Sequence, residues 1–139
     1  MFIQGIDNQT VELSIHCYDE EPGTWFYIDL KVNSKLGNIE VLDPFLEDYD
    51  VKSIVNWLRR LGENKSDFEM LDFLEPNMAL QVLSHDDNKK LIRLNFYAEC
   101  RPKSMGNQDY YVDCLLTNAQ LLQLSNDLLE ELRRFTDKY

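Results

Sequence analysis

At 139 residues, with 44% apolar and 28% charged side chains, the chain is long enough for one compact core and too short for two, and its composition excludes a disordered or collagen-like polymer. Lys and Arg number 14 against 25 Asp and Glu, a net charge of −11, so direct binding to nucleic-acid phosphates or to an anionic membrane surface is not expected. No apolar run approaches the ~18 residues that cross a bilayer, and Met1-Phe2-Ile3-Gln4 has neither the basic nor the apolar region of a signal peptide, which makes the cytoplasm the expected compartment.

Residues 11–18 alternate, with Val11, Leu13, Ile15 and Cys17 on one side and Glu12, Ser14, His16 and Tyr18 on the other, the period of a half-buried strand. Asp19-Glu20-Glu21-Pro22-Gly23 has turn composition, and the run from Thr24 to Val32 alternates again, so a hairpin is predicted. A third strand is expected over Ile39 to Leu42. Asp43-Pro44 is expected to end this series, because proline lacks the N–H a ladder needs. Asp50 is then a candidate N-cap for a helix whose stripe is Val51, Ile54, Val55, Leu58 and Leu61, with Gly62 as its C-terminal stop. Residues 63–76 read as a packed connection anchored by Phe68, Leu71, Phe73 and Leu74.

Alternation returns at Met78 to Ser84 and again at Leu91 to Cys100, around a turn at His85-Asp86-Asp87-Asn88, so a second hairpin is expected. Its longer strand points Ile92, Leu94, Phe96, Ala98 and Cys100 inward and Arg93, Asn95, Tyr97 and Glu99 outward. After a loop at Pro102 to Gln108, Tyr110 to Leu116 is the last strand. Thr117-Asn118-Ala119-Gln120 has the form of a capping box opening a terminal helix with Leu121, Leu124, Leu128, Leu132 and Phe135 on its buried stripe. Strands then helix, twice over, predict a single α+β domain: an antiparallel β-meander sheet with two helices packed on one face and the other face exposed to water.

Little in the chain suggests catalysis. The five glycines are too far apart for a phosphate-cradling loop, so no nucleotide cofactor is expected. His16 and His85 belong to no paired ligand motif, and the three cysteines form neither a disulfide framework nor a zinc pattern, so no metal is expected either. His16 beside Cys17 is not a thiol–imidazole pair on this reading, since adjacent strand residues face opposite ways. The cysteines read as reduced interior residues.

Two features point instead to recognition. Residues 43–75 hold nine acidic against four basic residues, a local −5 that includes Glu69 and Asp72 and suits a landing site for a basic protein. The outward sheet face gathers Tyr18, Trp25, Tyr27, Tyr97 and Tyr111 beside Asp29, Arg93, Glu99 and Asp113, and tyrosine and tryptophan bring large contact area at little rotamer cost. The candidate partner-binding residues are therefore Trp25, Tyr27, Asp29, Glu69, Asp72, Tyr97, Glu99, Tyr111 and Asp113.

The order of several local motifs resembles the WapI-like immunity protein family of bacterial polymorphic toxin systems. They are an early strand followed by the Trp-bearing strand Trp25 to Val32, Asp43-Pro44-Phe45-Leu46 leading into a helix with Val51, Ile54, Val55, Trp57 and Leu58, the Phe73-Leu74-Glu75-Pro76 segment, Leu94 to Pro102 ending in Glu99-Cys100-Arg101-Pro102, and the Thr117-capped, Leu-rich terminal helix. The resemblance implies an intracellular protein that binds and silences the C-terminal toxic domain of a polymorphic toxin and has no catalytic residues. An acidic inhibitor suits a basic toxin domain, because opposite charge speeds encounter. The resemblance leaves a monomer or weak homodimer as the expected state. The alternative is a small-ligand binder or enzyme with a pocket between sheet and helices.

Overall fold

The structure, a computed structural model, describes residues 1–18, 25–65, 70–73, 77–137 and 139. The first half of the chain forms β1 (Phe2–Gln4), β2 (Thr10–Tyr18), β3 (Trp25–Ser34) and β4 (Gly37–Glu47), antiparallel neighbours in chain order, followed by α1 (Asp48–Gly62). The second half repeats the plan with β5 (Met70–Leu71), β6 (Met78–His85), β7 (Lys89–Phe96) and β8 (Tyr110–Thr117), followed by α2 (Asn118–Arg133).

The α+β class and the antiparallel meander are as expected, but the strands divide into two four-stranded sheets instead of one. Alternation marks the buried face of a strand and carries no information about its neighbour. Here the chain leaves β4 directly for α1, so β4 stays an edge and forms no ladder with a strand of the second half among the described residues. The buried faces of both sheets and both helices contribute to one continuous apolar cluster, from Val11, Leu30 and Phe45 through Ile54 and Leu94 to Leu121, Leu128 and Leu132.

Several expected boundaries move, each for an identifiable reason. Near its end, β2 carries a bulge that shifts the register between Ile15 and Cys17, so Cys17 pairs with Tyr27 and Tyr18 with Phe26. One extra residue reverses the faces beyond it. Tyr18 therefore turns inward, its ring 4.5 Å from that of Phe26, and Cys17 moves to the outer side. Strand β4 does not stop at Asp43-Pro44 but runs on to Glu47, with Pro44 opposite Tyr27 beside a second register shift. Proline is tolerated there because an edge strand needs ladder hydrogen bonds on one side only. Strand β7 ends at Phe96, and a short 3-10 turn at Ala98–Cys100, with Ala98 at φ 50°, replaces its expected last residues. The turn expected at Asp19–Gly23 lies outside the described residues, as do Phe68 and Leu74.

Helix α1 begins at Asp48 rather than Val51, and Asp50, in its first turn, accepts the Glu47 N–H at 2.9 Å. Gly62 is its last residue, not its stop. The stop is Asn64, at φ 58°, where Asn64 N–H donates to Leu61 O at 3.1 Å and Lys65 N–H to Arg60 O at 2.7 Å, the double bond of a Schellman turn. Gly62 has a different use: a Cβ there would lie 2.9 Å from Leu122 Cγ and 3.0 Å from the Asn118 carbonyl oxygen, so its bare backbone lets α2 approach. The helices run antiparallel, since Gly62 meets Leu122 at one end and the Lys52 ammonium sits 5.2 Å above the Tyr139 ring at the other. Between these ends the buried Ser125 hydroxyl donates to Val55 O at 2.8 Å. The Thr117–Gln120 capping box forms as expected, with bonds of 2.8 and 3.2 Å.

Two polar junctions absent from the sequence reading tie these parts together. Lys90, only 3% exposed, donates to Asn64 Oδ1, to Asn118 Oδ1 at 2.8 Å and to Asp86 O at 3.0 Å, joining the end of α1, the start of α2 and the β6–β7 turn. Between the sheets, the Tyr110 hydroxyl donates to Gly37 O at 2.7 Å and the Ser34 hydroxyl to Tyr111 O at 3.2 Å.

Candidate partner-binding surfaces

The two sheets each present an outer face, and the candidate residues divide between them rather than sharing one. Trp25, Tyr27 and Asp29 are half-buried on β3 of the first sheet, while Tyr111 and Asp113 are half-buried on β8 of the second. Tyr97 follows β7 immediately and Glu99 lies in the 3-10 turn, so neither is a strand residue as expected, though both are exposed. Asp72 is exposed just after β5, and Glu69 lies outside the described residues.

On the first sheet, Trp25 stands opposite Glu47, Tyr27 opposite Pro44, and Asp29 between Ser14 and Leu42. One row farther along, Glu12, Lys31 and Glu40 cross the strands, with Lys31 Nζ 3.9 Å from Glu40 Oε1. The large exposed apolar side chains of this sheet, Phe2 and Leu42, sit on its opposite edges with those charges between them. The open depression lined by Thr10, Glu12, Lys31, Asn33, Asn38 and Glu40 belongs to this outer face and not to a cleft between sheet and helices.

The second sheet is organised differently. Strands β7 and β8 pair Leu91 with Leu115, Arg93 with Asp113 and Asn95 with Tyr111 on the outer side, and Tyr97 and Asp109 follow one residue beyond the last pair of the ladder. Arg93 grips Asp113 through both ends of its guanidinium, Nε to Oδ1 at 2.8 Å and Nη2 to Oδ2 at 3.0 Å, and lies 3.9 Å from the centre of the Tyr111 ring. Those bonds to Asp113 hold the Arg93 pKa above its ordinary value, so the cation is neutralised in place. Burial, then the charges of Asp72 and Asp109, raise the Tyr97 hydroxyl. Leu83, the extra residue of a β6 bulge opposite Leu91, and Met70, on the row of Arg93, are also exposed.

The acidic stretch 43–75 does not form one patch among the described residues. Asp48 and Asp50 are buried in the first turn of α1, where the helix dipole favours them, and burial raises the Asp50 pKa. Glu63 is engaged by Arg59 at 3.5 Å and Lys65 at 3.1 Å. Asp72 stays exposed.

The cysteines change the earlier picture in part. Cys100 and Cys114 are buried, and desolvation pushes both thiols up to about 12, so neither is a nucleophile near neutral pH. The bulge brings Cys17 to the same side of β2 as the exposed His16, contrary to strict alternation, yet no hydrogen bond joins them among the described residues. No group of three or more His, Cys, Asp or Glu among the described residues is placed to hold a metal ion, and no helix there is long and apolar enough to cross a membrane.

The model of the immunity protein WapI-like family matches residues 1–136. The chain belongs to that family. No curated protein and no solved structure matches it. In this WapI-like chain many residues of the segments that carry the resemblance lie in the core. Phe45 and Leu46 are buried at the end of β4, and Val51, Ile54, Val55, Trp57 and Leu58 form the core side of α1. Arg101 holds the 102–108 loop by donating to Gly106 O at 2.7 Å and Gln108 O at 2.5 Å. The outer row Leu91–Leu115 lies outside the segments that carry the likeness, yet it is visible to alternation. Leu115 is out of phase with the buried Val112, Cys114 and Leu116, and that is the signal of an outward leucine.

Proposed function

We propose that the protein is an immunity protein that binds and neutralises the C-terminal toxic domain of a polymorphic toxin in the cytoplasm of the cell that makes it. The observation that carries this reading is the match of the immunity family over residues 1–136, nearly the whole chain. The charge of −11 favours a basic toxin domain as partner, since opposite charge raises the rate of encounter. Inhibition then proceeds by occlusion, with aromatic and acidic side chains such as Trp25, Tyr27, Asp29, Asp72, Tyr97, Glu99, Tyr111 and Asp113 available to contact the toxin. Buried, protonated thiols at Cys100 and Cys114 fit a protein that works through its surface.

The test is to look beside the coding sequence for a large secreted protein and to co-express its C-terminal domain with this chain in a bacterial host; the absence of such a neighbour counts against the reading. Protection by the chain, lost when the chain is replaced by an unfolded variant such as Leu128→Asp, is the expected result. Undiminished killing at full expression of folded protein refutes the proposal.

A further inference from the structure

Three leucines, Leu83, Leu91 and Leu115, lie together on the outer side of the second sheet, whereas the exposed apolar side chains of the first are separated by charge. Leu91 and Leu115 are direct cross-strand partners, Leu115 is 51% exposed, and Leu83, 38% exposed, lies beside them. Neither Leu83, Leu91 nor Leu115 packs against the core. The outer side of β7 and β8 is thus a ladder of four rungs: two leucines, the Arg93–Asp113 pair, Asn95 with Tyr111, and Tyr97 beside Asp109. From Leu91 to Tyr97, the last one residue beyond β7, it runs roughly 20 Å.

Its charge is as uneven as its polarity. The Arg93 cation is neutralised by Asp113, while Asp72 and Asp109 at the far end, both exposed, have no ion-pair partner among the described residues. We propose that this ladder is the docking face for the toxin domain, which seats an apolar side chain over Leu91 and Leu115 and a Lys or Arg against Tyr97 between Asp72 and Asp109. The proposal rests on the immunity reading above and selects one of the two outer faces. A tyrosine ring flanked by two carboxylates offers a cation both its π-face and its counter-charge. The leucine end supplies the desolvated contact that gives an interface its slow dissociation.

A second copy of the chain fits poorly. A two-fold axis through the Arg93–Asp113 rung would lay the carboxylates of one copy over the leucines of the other, desolvating charge without a partner. Two chains at −11 each also repel.

The experiment measures binding kinetics between the purified chain and the same C-terminal toxin domain, inactivated in its own active site, for wild type and for variants confirmed as folded by thermal unfolding. Leu115→Glu is expected to weaken affinity about 30-fold or more through faster dissociation, with Leu115→Ser as a milder second variant. Tyr97→Ala is expected to weaken it about 10-fold or more. The Asp72→Asn/Asp109→Asn pair is expected to slow association and flatten its salt dependence. Phe2→Ser and Leu42→Ser, at exposed apolar positions of the first sheet, should bind as wild type does. If wild type binds and these first-sheet variants lose affinity while Leu115→Glu and Tyr97→Ala do not, the docking face is wrong and the immunity function stands. If wild type fails to bind the domain at all, both fall. Concentration-dependent dimerisation abolished by Leu115→Glu would assign the face to a second copy and overturn the proposal.

Discussion

Replacing Lys90 by methionine removes the ammonium that joins both helices to the β6–β7 turn and keeps most of the aliphatic stem. Its three acceptors, the Asn64 and Asn118 side-chain oxygens and the Asp86 carbonyl, are all neutral, and among the described residues no ion pair joins them in offsetting the burial of the charge. Desolvating an ammonium costs several kcal/mol, and hydrogen bonds to a charged group return about 1.5–3 kcal/mol each, so three of them leave a modest net gain. The variant suffers differently: acceptors around a site 3% exposed lose their donor, at about 1–3 kcal/mol for each that water cannot reach. Since the Asn64 and Asn118 amides still donate to Asp87 O, at 3.1 and 2.7 Å, both side chains are held in place and cannot turn away to find water. We expect Lys90→Met to lower stability by roughly 3 kcal/mol, read from urea unfolding with an unchanged slope. Asn64→Ala and Lys90→Met together should cost less than the sum of the two alone, because each removes the same contact. A loss under about 1 kcal/mol would mean that desolvation cancels the bonds and that the junction is not what fixes the helices to the sheet.

Other outcomes follow from packing and titration. Leu128→Ala, at a fully buried position facing the core, should cost about 2–5 kcal/mol by denaturant unfolding. Gly62→Ala should destabilise although alanine favours helix by about 1 kcal/mol, because the new methyl meets Leu122 and the Asn118 carbonyl; a stabilised variant would show that α2 can yield. Thiol reagents should modify Cys17 first and Cys100 and Cys114 only as fast as the protein unfolds, a pattern that mass spectrometry of partly labelled protein resolves. Burial raises the folded-state pKa of Asp50, so its contribution to stability is lost as pH rises from the ordinary carboxylate range through that raised value; Asp50→Asn should flatten this fall in stability measurements across the acid range.

Alternation located six of the eight strands among the described residues and both helices, because each buries one face against a single core and burial imposes period on sequence; the two-residue β5 falls inside the stretch read as a connection. What it could not supply is pairing. Two sheets and one sheet have the same alternation, and the three-residue β1 is too short to show a period at all. Bulges are the second loss: the extra residue at His16 sends Tyr18 inward and Cys17 outward, and no local composition announces it. The same limits govern the candidate site. Tyr111 and Asp113 were correctly outward, but Arg93 reads as an outward cation until its geometry shows that Asp113 has neutralised it. Leu115 is legible as an outward leucine, but only its pairing with Leu91 makes it part of a surface.

The central claim is inhibition by direct binding, and the most direct measurement titrates this chain into the active C-terminal toxin domain while following the toxin's own activity. The account predicts that activity falls in proportion to added chain and reaches zero near one equivalent. Full activity in the presence of a large excess of folded chain would contradict it.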